Sequence, residues 1–212
     1  MTLQIRKISL SFDYFTISAA CLCAVLFPSR FLPAALCIAV HEFGHIAAIF
    51  YYGCDNLSVK LKYLCIDIID PHDHTRPYLH KAVIALSGPA FNVIFFLILF
   101  FTEKFYTNNI SIIEILEMVN ISLAIFNLLP IIGTDGGEFL QSMLYKISEK
   151  KFAFINKKVN AIMYTLTILF LFPAAAAGFL VLLQTPYNFT LLASVLILLF
   201  RFLTSFYILD TP

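Results

Sequence analysis

His41, Glu42 and His45 interrupt the stretch CIAVHEFGHIAAIF, Cys37 to Phe50, which has no other charge. Side chains four apart share one face of a helix, so the two imidazoles can converge on one metal ion while the glutamate stands beside it. In an H-E-x-x-H helix the imidazoles bind zinc, and the carboxylate takes a proton from water whose pKa the metal lowers to about 7. Satisfied surface residues are the plain reading of such a motif in a soluble helix. Here that reading is expensive, because an ionisable group within a membrane span costs on the order of 2.5–3.5 kcal/mol by insertion scales and marks function by default.

Catalytic zinc usually takes three protein ligands and keeps a place for water. Asp135 is the clearest acidic residue closing a long apolar run, in FNLLPIIGTDGGEFL, Phe126 to Leu140. Pro130, Gly133, Gly136 and Gly137 should break the helix there. Irregular backbone at membrane depth is tolerated only where protein or a water-filled cavity surrounds it, so a wet pocket is expected beside Asp135. The competing reading is a helix cap following Thr134 at a membrane boundary.

The elements that must position these residues are membrane helices. Of the 212 residues, 60% are hydrophobic and 13% charged, against roughly 45–50% and about 25% in soluble domains. The mean hydropathy is +0.88. A net charge of +1 argues against a nucleic-acid partner. The 5 cysteines are scattered at 21, 23, 37, 54 and 65 and read as reduced packing residues. A helix needs roughly 20 apolar residues to cross, and the intervals between charges predict an all-α polytopic protein with six transmembrane helices. The expected spans are about 14–29, 31–52, 82–102, 113–132, 159–183 and 188–208, all in one domain over 1–212. The polar break QTPYN, Gln184 to Asn188, separates the last two. A cleaved signal peptide is the alternative for the first, but no A-x-A site precedes a soluble domain.

Residues 53–80 form the longest polar segment, whose middle, NLSVKLKYLCIDIID, is rich in strand formers. A small strand-containing loop is expected there, followed by a turn at PHDHTRP. His72, His74 and His80 in and after that turn read as solvated loop residues. An amphipathic surface helix is expected over about 136–151, with Phe139, Leu140, Met143 and Leu144 opposite Glu138, Gln141 and Lys146. If the amino terminus is inside, the inner segments hold Arg6, Lys7, Lys60, Lys62, Arg76, Lys81, Lys146, Lys150, Lys151, Lys157 and Lys158. By the positive-inside rule both termini and the site opening then face the cytosol.

The motifs HEFGH (41 to 45), SGPAFN (87 to 92) and NLLPIIGTDGG (127 to 137) resemble those of the site-2 proteases, the intramembrane zinc metalloproteases of the M50 peptidase family. The resemblance extends over the whole six-span core. It implies that His41, His45 and Asp135 hold one Zn2+ per chain and that Glu42 activates water. It also implies that Asn127 shapes a bound substrate strand and that Asn92 orients substrate or a main-chain group near the metal. The spans before the H-E-x-x-H and the lack of a PDZ domain look most like the stage IV sporulation protein FB branch, here without that branch's CBS domain. Leu128 stands where many members have proline, and Gly133-Thr134 replaces a frequent Pro-Leu; both departures bear on substrate preference.

The implied reaction is peptide-bond hydrolysis in or near a transmembrane segment of a membrane-tethered protein in the lipid bilayer, with pro-sigma or anti-sigma factors among the substrates and an inhibitory membrane partner possible. The loop from Leu57 to Asp70 could hold an unwound substrate by edge pairing or simply cover the site. Two rivals belong to other classes. A membrane metal-ion transporter also places His and Asp in spans, though usually with paired broken helices. A prenyl-protein-type membrane protease carries H-E-x-x-H too, but takes a glutamate as third ligand.

Overall fold

The computed structural model describes residues 2–5, 7–62, 65–104, 110–148 and 154–184, together with positions 195, 196, 199 and 202. The chain divides into two compact units, Met1–Phe126 and Asn127–Pro212.

The first unit opens with a hairpin, β1 (Thr2–Ile5) and β2 (Ile8–Phe12), which the sequence analysis does not predict. Leu3, Ile5, Ile8, Leu10 and Phe12 alternate with polar residues apart from the turn, a half-buried strand pattern. Next come α1 (Tyr14–Leu26) and α2 (Pro28–Tyr51). The expected loop strands follow as β3 (Leu57–Lys62) and β4 (Cys65–Ile69). β2 pairs parallel with β3, and β3 antiparallel with β4, in one sheet of order β1-β2-β3-β4. The expected all-α class is thereby corrected to a mostly helical fold with a four-stranded sheet. Ile8, Leu10, Leu57, Val59, Leu61, Ile66 and Ile68 share one face and pack against Ile46, Ile49 and Phe50 of α2.

A 3-10 turn (Asp73–Thr75) leads into α3 (Tyr78–Glu103) and then α4 (Ile110–Asn127). Arg76 ties this turn to the end of α2. Its guanidinium donates to the Tyr52 carbonyl at 3.0 Å and the Ile49 carbonyl at 3.5 Å, and its Nε donates to Asp70. The side chains of this ion pair are 6% and 7% exposed. Burial pushes the Asp70 carboxyl up, yet the Arg76 hydrogen bond, the His72 N–H and the Arg76 charge outweigh it and hold the pKa below the usual carboxylate value. The expectation for the loop histidines meets two different environments: His72 and His74 are exposed in the turn, whereas the His80 ring stacks on Tyr52 at 4.1 Å.

In the second unit a turn-rich segment leads to α5 (Asp135–Ser148) and α6 (Phe154–Gln184). α5 is a helix over nearly the residues expected to form one, about 136–151.

Among the described residues, three helical segments are long and apolar enough to cross a bilayer: Pro28–Tyr51, Tyr78–Glu103 and Lys158–Ala177. That is the make-up of an integral membrane protein. The first expected span is shorter than predicted. α1 has 13 residues, about 20 Å of rise, because Phe27 leaves helical geometry (φ −133°, ψ 56°) and Pro28 begins the next helix. α4 stops at Asn127 instead of continuing to Ile132, as the sequence from Leu128 onward turns. The sixth expected span falls almost wholly outside the described residues.

Candidate metal centre

α2 carries His41 and His45 on one face, 5% and 9% exposed. Their Nε2 atoms lie 3.3 Å apart, with the rings edge to face at 4.9 Å between centroids. The opposite nitrogen of each ring is held by α3. His45 Nδ1 stands 2.8 Å from the Ile84 carbonyl oxygen. A carbonyl can only accept, so Nδ1 carries the proton and the lone pair of the neutral ring is on Nε2. His41 Nδ1 stands 2.5 Å from Asn92 Oδ1. The Asn92 amide is oriented by its other contacts, since Nδ2 donates to the Cys37 carbonyl at 3.1 Å and to Asn120 Oδ1 at 2.7 Å. Asn92 is fully buried. Its oxygen therefore accepts from His41, and the His41 lone pair is also on Nε2. Two basic nitrogens thus face one point, each backed by a hydrogen bond of the kind that orients a metal-bound imidazole.

The α2–α3 contact that allows this is built on small residues. A Cβ at Gly88 would stand 2.2 Å from His45 Nε2, and one at Gly44 would stand 2.6 Å from the Ser87 carbonyl oxygen. Pro89, inside α3, lacks the N–H that would close onto Ala85 and opens the helical ladder beside Ile84. The Gly-Pro of SGPAFN is thus explained by the α2–α3 contact. Glu42, next along α2 from His41, is half-buried.

Asp135 and Asn127 belong to the second unit. Asn127 is its first residue. Asp135 is the first residue of α5, with Glu138 in the same turn, where carboxylates suit the helix dipole. Thr134, 3% exposed, precedes it as a cap: its hydroxyl accepts from the Gly137 N–H at 3.3 Å and lies 2.6 Å and 2.8 Å from the Leu129 and Ile131 carbonyls. Gly133 has φ +91°, which favours glycine. A Cβ at Gly136 would meet the Leu128 carbonyl oxygen at 2.2 Å, and one at Gly137 the Ile131 carbonyl oxygen at 1.9 Å. Thr167 of α6 is fully buried and accepts from the Ile132 N–H at 3.0 Å, so the broken segment has a fixed backbone partner. The helix-cap role weighed for Asp135 falls instead to Thr134, and Asp135 is the first residue of the helix.

Of the residues around the histidine pair, Asn120 was missed by sequence reasoning. Asn120 carried a usable signal, being an amide in the apolar run of α4, where polar groups are costly.

The sequence model of Peptidase family M50 matches residues 102–173, a stretch that includes Asp135 but not the histidine pair. A Synechocystis protein described as a candidate zinc metalloprotease is 28% identical over 114 residues. That alignment takes in 52% of this chain and 30% of the relative, so the chain spans less than a third of that protein's length. Among solved structures, the site-2 protease from Methanocaldococcus jannaschii superposes with a TM-score of 0.58 at 20% identity, covering 94% of this chain and 92% of that one. The two share a fold.

Proposed function

We propose that this chain is an intramembrane zinc metalloprotease of the site-2 type in the M50 peptidase family, holding one Zn2+ with His41, His45 and Asp135. The observation that carries the proposal is the histidine pair: both Nδ1 atoms are engaged by α3 acceptors while both Nε2 atoms meet at 3.3 Å. Two buried lone pairs at that separation favour a shared cation. Two neutral imidazoles and one carboxylate suit zinc in a three-ligand catalytic site. The family match across the Asp135 segment and the shared fold support the same reading.

Bound zinc supplies a Lewis acid that acidifies water and stabilises negative charge on a scissile carbonyl oxygen. Glu42 takes the proton of the attacking water at its carboxylate and delivers it to the departing amide nitrogen. His41 and His45 act as rigid nitrogen ligands whose rings α3 prevents from turning. A substrate helix must unwind before a carbonyl is exposed, and β4, at one edge of the sheet, offers backbone groups to an extended segment. Asn127, where α4 gives way to the turn-rich segment, is proposed to shape the bound substrate strand. The substrates are membrane-tethered proteins. Processing of pro-sigma or anti-sigma factors, membership of the sporulation branch and an inhibitory membrane partner rest on the motif resemblance. Cytosolic termini and a cytosolic opening rest on the distribution of Lys and Arg.

Metal analysis combined with cleavage of a transmembrane reporter tests the reading. Wild type should bind one equivalent of zinc and cleave. Glu42→Gln should keep the metal and lose cleavage, and His41→Ala or Asp135→Ala should lose both. Full cleavage by Glu42→Gln would sink the assignment, and Glu42-dependent zinc flux into proteoliposomes would favour a transporter instead. A membrane-proteome comparison of wild type with Glu42→Gln would identify the substrate.

A further inference from the structure

Behind His41 lies a buried chain of side-chain amides that extends the site to a third helix. Asn120 of α4 is fully buried, as are Asn92 and Cys37. Its Nδ2 donates to the Leu116 carbonyl at 2.9 Å and contacts Cys37 Sγ at 3.0 Å, while its Oδ1 accepts from Asn92 Nδ2 at 2.7 Å. Each amide has a single allowed orientation. The Leu116 carbonyl can only accept, so Nδ2 of Asn120 must face it and Oδ1 must face Asn92. Asn92 must then present its own Nδ2 to Asn120 and its Oδ1 to His41, an orientation that the Cys37 carbonyl also enforces.

With both Nδ2 hydrogens of Asn92 so used and its oxygen on His41, no amide hydrogen is left for substrate. We infer that Asn92 and Asn120 are positioning residues that act in series on His41: Asn120 orients Asn92, and Asn92 fixes the His41 tautomer that leaves Nε2 basic. In the sequence analysis Asn92 orients substrate or a main-chain group near the metal and Asn120 has no role. In the relay, α4 contributes to metal affinity without supplying a ligand. Outer partners of this kind are worth 10–100-fold in metal affinity where they touch the ligand directly.

The inference rests on the proposed metal site, so the test separates the two. Cobalt affinity and the visible cobalt spectrum are measured on the full chain in detergent for wild type, His41→Ala, Asn92→Leu, Asn120→Leu, Asn120→Ser and the Asn92→Leu/Asn120→Leu double variant. His41→Ala should abolish binding; if it does not, the metal assignment fails whatever the asparagines do. Asn92→Leu should weaken cobalt by roughly 10–100-fold, and either Asn120 variant by about tenfold with a shifted ligand-field band. The double variant should match Asn92→Leu alone, because Asn120 acts through Asn92. Wild-type affinity and spectrum in a folded Asn120 variant, or losses that multiply in the double variant, would overturn the relay. Nitrogen-15 spectra of histidine in unsubstituted metal-free protein give a readout independent of variant folding. His41 should carry its proton on Nδ1, and a proton on Nε2 would refute the inference.

Discussion

The two regions proposed to supply zinc ligands are held by opposite devices. Around His41 and His45, side chains do the positioning: an amide, a main-chain acceptor and the space left by Gly88 set the rings. Around Asp135 the backbone does it, through a threonine cap, a left-handed glycine and two glycines that abut carbonyl groups. An error beside the histidines can be absorbed by a ring that swings, at the expense of metal binding. An error beside Asp135 meets a peptide group that cannot yield without unmaking the turn.

Glycine-to-alanine substitutions should split along this line. Gly137→Ala places a methyl group 1.9 Å from the Ile131 carbonyl oxygen and should lower stability by roughly 3–5 kcal/mol, read as thermal unfolding in detergent. A wild-type melting temperature would show that this backbone is not the rigid partner described. Arg76→Leu leaves Asp70 as a buried, uncompensated charge and should cost about 3 kcal/mol, which the double variant Arg76→Leu/Asp70→Asn should largely restore. Gly88→Ala should instead show itself in metal binding. The methyl meets a ring rather than a peptide, so zinc should weaken by about 10–100-fold while stability falls by only about 1–3 kcal/mol. Equal stability losses for Gly88→Ala and Gly137→Ala would erase the contrast. Thr134→Ala removes one cap and should cost about 1–2 kcal/mol, with Thr134→Ser retaining most of it.

The smallest effect is a pH dependence. The folded pKa of Asp70 is depressed, so its contribution is fully present above the unfolded value of about 3.9 and is lost as pH falls through the folded one. The melting temperature of wild type should drop more between pH 5 and pH 3 than that of Asp70→Asn.

Much of this was legible before any coordinates. The placing of His41 and His45 on one face of α2 and the break in the helix at the glycines around Asp135 each follow from a few neighbouring residues, and short-range rules read them. The strands β3 and β4 and the helix α5 were visible for the same reason. The N-terminal hairpin was not recognised, although its alternation is plain, because its partner strand begins 49 positions beyond Ile8 at Leu57. α1 came out short because a span was counted between charges, whereas Phe27 and Pro28 end it locally. Asn120 escaped because its value lies in a contact with Asn92, 28 positions earlier, and no local pattern records that pairing.

The parallel union of β2 with β3 has a consequence in time. Ile8 meets Leu57, so the sheet against which the C-terminal half of α2 packs cannot close until both α1 and α2 have been synthesised. At about 5–20 residues per second, the first hairpin must wait roughly 2–10 s for its partner. During that interval the apolar face of β2 lacks its parallel neighbour, and a nascent chain stalled near residue 50 should be the form of this protein most prone to capture by chaperones.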